Sequence, residues 1–302
     1  MTGRTRLWQP AYAVHLGGML HPLRRGSGDP TYRLAGGRHW RGVRTPDGPV
    51  TLALAQTAAG IEAEAWGPGA DWALEHVPAL LGAYDDEAGF APADPVLAAA
   101  VGRFGVPRFG RTGLVMEALV PAVLEQRVTG QEAWLGFRRL VHRFGERAPG
   151  PAADLRLWVQ PTAETLRRIP SWDWIRMHVD PARSKPVVLA ARVAGSLERC
   201  AGLPGDEVER RLTTIAGVGE WTAAEVRQRA LGDPDAVSFG DYHVAKDVGW
   251  GLTGEGWDDD RLREYLEPFR PHRQRVVALV YALRGTRPRR GPRMAPRTHL
   301  PA

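Results

Sequence analysis

Residues 212–246 read LTTIAGVGEWTAAEVRQRALGDPDAVSFGDYHVAK, and this stretch organises the chain. At its centre, Ala216-Gly217-Val218-Gly219-Glu220-Trp221-Thr222-Ala223 sets two glycines one residue apart, between an apolar helical turn and a second helix-forming run. The pattern is helix, hairpin, helix. Glycines adopt backbone angles that other residues avoid, and they bring bare N–H groups to the start of the helix opened near Trp221 and Thr222. A nest of such N–H groups binds phosphate.

Downstream, the turn Gly232-Asp233-Pro234-Asp235 leads to Asp241, just ahead of a new helical pattern over residues 242–252. A carboxylate there is an N-cap, since Asp readily accepts the first free N–H groups of a helix. For an isolated Asp this structural reading would suffice.

Gly217-Val218-Gly219-Glu220-Trp221-Thr222-Ala223, Gly240-Asp241-Tyr242-His243 and the upstream Leu124-Glu125-Gln126-Arg127-Val128-Thr129 occur together in one chain. In that combination the chain resembles the helix-hairpin-helix superfamily of DNA base-excision glycosylases, and within it the 3-methyladenine-DNA glycosylase II branch. The resemblance implies an α+β chain. An N-terminal sheet-and-helix domain like that of the TATA-box-binding protein would occupy residues 1–90, an all-α helix-hairpin-helix domain 91–284, and a basic disordered tail 285–302. It implies that Asp241 faces the sugar of a flipped nucleotide, and that Trp221, Tyr281, Gln126 and Glu225 stand at the base pocket. Gly217, Val218, Gly219 and Thr222, with Arg127, Arg273 and Lys246, would meet the DNA.

Three positions depart from the family pattern. Arg127 stands where an apolar wedge fills the gap left by the flipped base; stacking of its guanidinium in that gap and an ordinary phosphate contact both stay open. Glu225 stands where relatives can have an aromatic pocket residue. Ala245 replaces a basic residue, with Lys246 as the substitute phosphate contact.

A chain of 302 residues with 43% hydrophobic content can bury a sizeable core and form two or three compact units. A formal charge of +6 favours a polyanionic partner, here duplex DNA containing a damaged base. All 40 basic residues except Lys185 and Lys246 are arginines, a preference that genomic base composition also produces. The single Cys200 excludes an internal disulfide and the four-cysteine iron–sulfur cluster of one glycosylase branch. The nine histidines show no metal-like pairing, so neither metal nor cofactor is expected. Residues 11–20 are interrupted by His15 and two glycines, and no run reaches membrane-spanning length. A cytoplasmic monomer is the expectation.

Strand character runs over residues 12–66, with a turn at Pro46-Asp47-Gly48 and period-2 alternation in Ile61-Glu62-Ala63-Glu64-Ala65. Residues 71–81 fit a covering helix, and the acidic, proline-containing stretch 85–95 reads as a boundary. Beyond it the period is helical. Residues 114–126 are apolar nearly all round, with Pro121 as a kink point, and Ala133, Trp134, Phe137, Leu140, Val141 and Phe144 form a stripe read as core. Trp172 and Trp174 are assigned to packing, with one of them open to a place in the pocket wall. A helix is expected over 186–200, and Asp258-Asp259-Asp260 reads as a helix cap.

Excision of a base passes through an oxocarbenium-like sugar, which an anion beneath it stabilises. Asp241 is the candidate anion. Bifunctional relatives carry a lysine where this chain has Trp221, and an indole cannot form a Schiff base. The expectation is therefore a monofunctional enzyme that uses water and removes alkylated purines, Trp221 stacking on the electron-poor base. Two rivals remain: a helix-hairpin-helix module that binds DNA without catalysis, and a glycosylase for other damaged bases.

Overall fold

A computed structural model of the chain describes residues 2–284 and Arg287. All but Arg287 of the expected basic tail lies outside the described residues.

Five strands, β1 Arg4–Trp8, β2 Tyr32–Ala35, β3 Arg38–Thr45, β4 Gly48–Thr57 and β5 Gly60–Trp66, form an antiparallel sheet in the order β1-β5-β4-β3-β2. Ile61, Ala63 and Ala65 of β5 face the core, as the alternation requires. Thr45 pairs with Gly48, so the β3–β4 hairpin turns on Pro46 and Asp47. Two parts of this region differ from expectation. Strand β1 pairs with β5 from far upstream, and helix α1, Leu16–Leu20, interrupts the stretch read as strand. Leu16 and Leu20 at i and i+4 anchor α1 in the core, overriding the low helical propensity of Gly17 and Gly18. Helix α2, Ala70–Leu80, lies on β1, β4 and β5 and buries Ala73, Leu74 and Val77.

The segment read as a boundary is pinned at one end. The Asp85 carboxylate accepts 2.7 and 2.5 Å bonds from both terminal nitrogens of Arg275, with the two side chains 1% and 0% exposed. Helix α3, Pro95–Phe104, capped by Asp94, then packs against the C-terminal helices.

The helices sort into two apolar clusters. The first gathers α4 Val115–Leu124, α5 Gly130–Phe144, α7 Ala163–Arg168, α8 Ser171–Arg176, α9 Pro181–Arg192, α10 Ala194–Glu198, α11 Gly205–Thr213 and α12 Glu220–Val226, while a short hairpin of β6 Glu146–Arg147 and β7 Trp158–Val159 around α6 Ala152–Leu155 packs separately against Trp40. The second gathers α3, α13 Val244–Thr253, α14 Asp259–Leu266 and α15 Arg273–Arg284. The expected helix at 186–200 starts at Pro181 because Asp180 caps it, accepting N–H bonds from Ala182 and Arg183; Pro186 lies inside it, and the helix breaks at Val193. Trp174 is 2% exposed, but Trp172 is 61% exposed, since residues two apart lie on different faces of a helix. Trp134 also departs from the core reading, at 39% exposed. Asp258 caps α14 through the N–H of Arg261, as expected. Among the described residues no helix is long and apolar enough to cross a membrane.

Removing one partner of a buried ion pair strands the other charge, at about 3–5 kcal/mol. Arg275→Met is therefore expected to lower the unfolding free energy in urea by that amount. Arg4→Met, which breaks the exposed Arg4–Asp71 pair, should leave the urea midpoint unchanged. Equal midpoints for the two variants would contradict this account.

Candidate functional site

The hairpin joins α11 to α12, and α12 continues as a π-helical turn over Arg227–Leu231. Gly217 has φ +89°, and a Cβ there would lie 2.4 Å from Pro186 Cγ, so both conformation and space demand glycine. Gly219 differs from the sequence expectation. Its φ and ψ are −103° and −175°, open to any residue, and a Cβ there would meet nothing within 4 Å. Gly219 is the N-cap of α12 and carries no side-chain cap, so the first N–H groups of the helix stand uncovered by any side chain of their own. The Val218 N–H is bonded to Ile215 O and its side chain is 5% exposed, which confines Val218 to the core.

Gln126 lies just after α4. Its Nε2 donates to Gly217 O at 2.9 Å and Thr222 Oγ1 at 2.8 Å. Both amide hydrogens are thereby used to staple the hairpin to α4. Thr222, 2% exposed, is the inner end of that staple. The next residue, Arg127, is exposed and has φ +54°, an uncommon angle for a side chain of this size. Two residues later Thr129 and Glu132 close a capping box that starts α5. Arg127 is thus held at the tip of a tight connection bound to the hairpin.

Asp241 follows Gly240, whose N–H donates to Asp259 Oδ2 at 3.0 Å. The two oxygens of Asp241 differ in use. Oδ1 accepts the N–H groups of His243 at 2.7 Å and Val244 at 3.2 Å, bracing the turn that opens α13, whose N-cap residue is His243. Oδ2 accepts the indole N–H of Trp221 at 3.3 Å. Trp221 extends from the first cluster and Asp241 heads the second, so the site lies on the seam between them. Helix α14 closes the same seam. Arg263 forks onto Glu220 at 2.8 and 2.7 Å while its guanidinium lies 3.9 Å over the Phe239 ring. The Glu220 hydrogen bonds, opposed by partial burial, raise the Arg263 pKa further.

Lys246 stays near the site, its Nζ 3.5 Å over the ring of the exposed Tyr242. Tyr281, on α15, bonds Asp247 Oδ2 at 3.4 Å and so flanks α13, the helix that follows Asp241. Two expected site residues are drawn inward. Glu225, 9% exposed, accepts from Ser238 Oγ at 2.6 Å and Arg229 Nη1 at 2.7 Å, a buried strut and not a pocket wall. Arg273, also 9% exposed, forks onto Asp235 at 2.9 and 2.7 Å, which takes it away from DNA phosphates. Sequence reasoning missed Arg263 and Asp259. Their only signal is position on an acid-led amphipathic helix, which does not reveal what they face. A cleft of about 600 Å³ between Tyr84, Arg111, Gly232 and His272 includes none of the site residues.

No protein-family model matches the chain. Over 151 residues it is 32% identical to a Mycobacterium tuberculosis protein named "Probable bifunctional transcriptional activator/DNA repair enzyme AlkA", covering 49% of this chain and 30% of that one. Over 163 residues it is 28% identical to the DNA-3-methyladenine glycosylase of Bacillus subtilis, covering 52% and 53%. The chain thus spans about half or less of the length of these curated relatives. The solved structure of the 3-methyladenine DNA-glycosylase from Archaeoglobus fulgidus superposes with a TM-score of 0.74 at 18% identity, over 93% of this chain and 98% of that one. The chain has the fold of the DNA glycosylases, and DNA-3-methyladenine glycosylases are among its sequence relatives.

Proposed function

We propose that the chain is a monofunctional DNA glycosylase that flips an alkylated purine of the 3-methyladenine type out of duplex DNA and hydrolyses its N-glycosidic bond. The observation that carries this reading is the Trp221–Asp241 contact, which puts a half-buried carboxylate beside the hairpin. As the glycosidic bond stretches, positive charge grows on the sugar, and Asp241 below it offsets that charge. An alkylated purine already carries positive charge and leaves readily, so water can complete the substitution without a leaving-group acid. No cofactor or metal enters.

The uncovered N–H groups at the start of α12 and Lys246 would hold backbone phosphates, and exposed Arg127 would occupy the gap left by the flipped base. In this scheme residues 1–90, with their likeness to the TATA-box-binding protein unit, buttress a catalytic domain over 91–284. The protein would act as a cytoplasmic monomer. The Oδ1 bonds to the turn that opens α13 favour a second reading, in which Asp241 is structural and the chain only binds DNA.

Asp241→Asn separates the two, because Asn caps about as well as Asp but carries no charge. Single-turnover excision from duplexes bearing one alkylated purine should fall by ~10²–10³ while folding and DNA binding persist. Excision at the wild-type rate by the variant would refute the mechanism, and a wild-type protein inactive on every modified base would favour the binding module.

With Trp221 in place of a lysine, the product should be an intact strand containing an abasic site, cut only after alkali or heat. Borohydride should trap no enzyme–DNA adduct. A trapped adduct in good yield would make another amine, Lys185 or Lys246, the nucleophile.

The glycines supply a test of the hairpin. Gly217→Ala should destabilise the fold by about 1–3 kcal/mol through its positive φ and the clash with Pro186. Gly219→Ala should cost at most about 1 kcal/mol, since alanine caps less well than glycine but meets no clash there, and should lose affinity for undamaged duplex, because its methyl group would stand on the outer face of the hairpin. Unchanged affinity would remove the hairpin from the DNA interface.

A further inference from the structure

We propose that Trp221 is a positioning residue for Asp241, its indole N–H holding Oδ2 in place without cancelling the carboxylate charge. This rests on the catalytic reading above and adds to Trp221 a role distinct from stacking on a base. An indole has one donor, and here it points at Oδ2 from 3.3 Å. The base-stacking role uses the ring face, so the edge and the face of one side chain serve two partners.

The His243 and Val244 N–H groups engage Oδ1 alone, and both belong to the turn that carries Asp241 itself. The indole N–H reaches Oδ2 from α12, so the carboxylate is tied to the hairpin as well as to its own turn.

The donor is also neutral. Asp241 accepts from three neutral N–H groups, and the nearby cations are engaged elsewhere: Arg263 with Glu220, Lys246 over Tyr242. An ammonium in place of the indole would orient the carboxylate equally well, but it would neutralise the anion that the sugar cation needs. The 3.3 Å separation is at the long end for such a bond, and catalytic hydrogen bonds commonly tighten when substrate binds.

Trp221→Phe tests this, because Phe keeps an aromatic face and lacks the donor. Trp221 is half-exposed, so the variant folds. Single-turnover excision should fall roughly tenfold or more, with the affinity for damaged duplex within about threefold of wild type. In an Asp241→Asn background the same substitution should lower the rate less than about twofold, since the group it acts through is gone. A Trp221→Phe rate within twofold of wild type, or losses from the two substitutions that multiply, would overturn the role.

The indole ¹⁵N–¹H resonance supplies a readout independent of activity. The signal that Trp221→Phe deletes should be displaced downfield in the wild type and should move in Asp241→Asn. If that resonance ignores Asp241→Asn, the bond does not exist in solution. An inactive wild-type protein with a resonance that does respond would sink the glycosylase reading and leave the contact standing.

Discussion

A hydrogen bond between side chains on two different apolar clusters exists only while the clusters are held in register to within tenths of an ångström. The Trp221–Asp241 contact is such a bond, and much of the surrounding polar structure serves its registration. Gln126 fixes the hairpin to α4, the Arg263–Glu220 fork ties α12 to α14, and Asp259 holds the Gly240 N–H next to Asp241. Deeper in, Arg275 grips Asp85 and Arg273 grips Asp235. Buried ion pairs contribute little net stability compared with apolar packing, but they tolerate only one geometry. Directional bonds suit a seam, where non-directional apolar contact would allow sliding.

This use of arginine changes what the basic composition means. The net charge of +6 suggests a surface made for phosphates. Yet Arg25, Arg41, Arg183, Arg227, Arg273 and Arg275 are all buried, each with carboxylate partners inside the fold. The guanidinium fork, which matches a carboxylate in two places, is what suits them to that work. Exposed cations do remain near the hairpin, among them Arg127 on the connection that Gln126 ties to it and Lys185 next to the Pro186 that Gly217 meets. In the proposed DNA interface the N–H groups of α12 would act beside these side chains.

The sequence was legible where local physics decides and opaque where tertiary partners do. The alternation at Ile61-Glu62-Ala63-Glu64-Ala65 and the cap at Asp258 were readable because each is fixed within a few residues. The pairing of β1 with β5 was not, because it joins segments far apart in the chain. Helix α1 carried conflicting signals: leucines at i and i+4, and two glycines that oppose a helix. At Glu225 and Arg273 the motif identified the position but not the direction of the side chain. Each has a buried partner, Ser238 with Arg229 in one case and Asp235 in the other, and burial next to a partner outweighs exposure to a ligand. The two hairpin glycines look alike in sequence and differ in structure, since only Gly217 has a positive φ.

The two oxygens of Asp241 make a structural role and the proposed catalytic role compatible in one side chain. Oδ1 is committed to the start of α13, which fixes the position of the side chain and places it at the positive end of a helix. Oδ2 has one lateral donor from the indole and is the oxygen available to a sugar. A helix start offers an anion neutral N–H groups, and an indole offers one more. All three orient the charge and none removes it. A lysine at position 221 would, as a neutral amine, be a nucleophile toward the sugar and, as an ammonium, offset the carboxylate charge. In the function proposed for this chain, tryptophan at 221 supplies a neutral donor that cannot attack the sugar, which leaves water as the nucleophile and an uncut strand as the product.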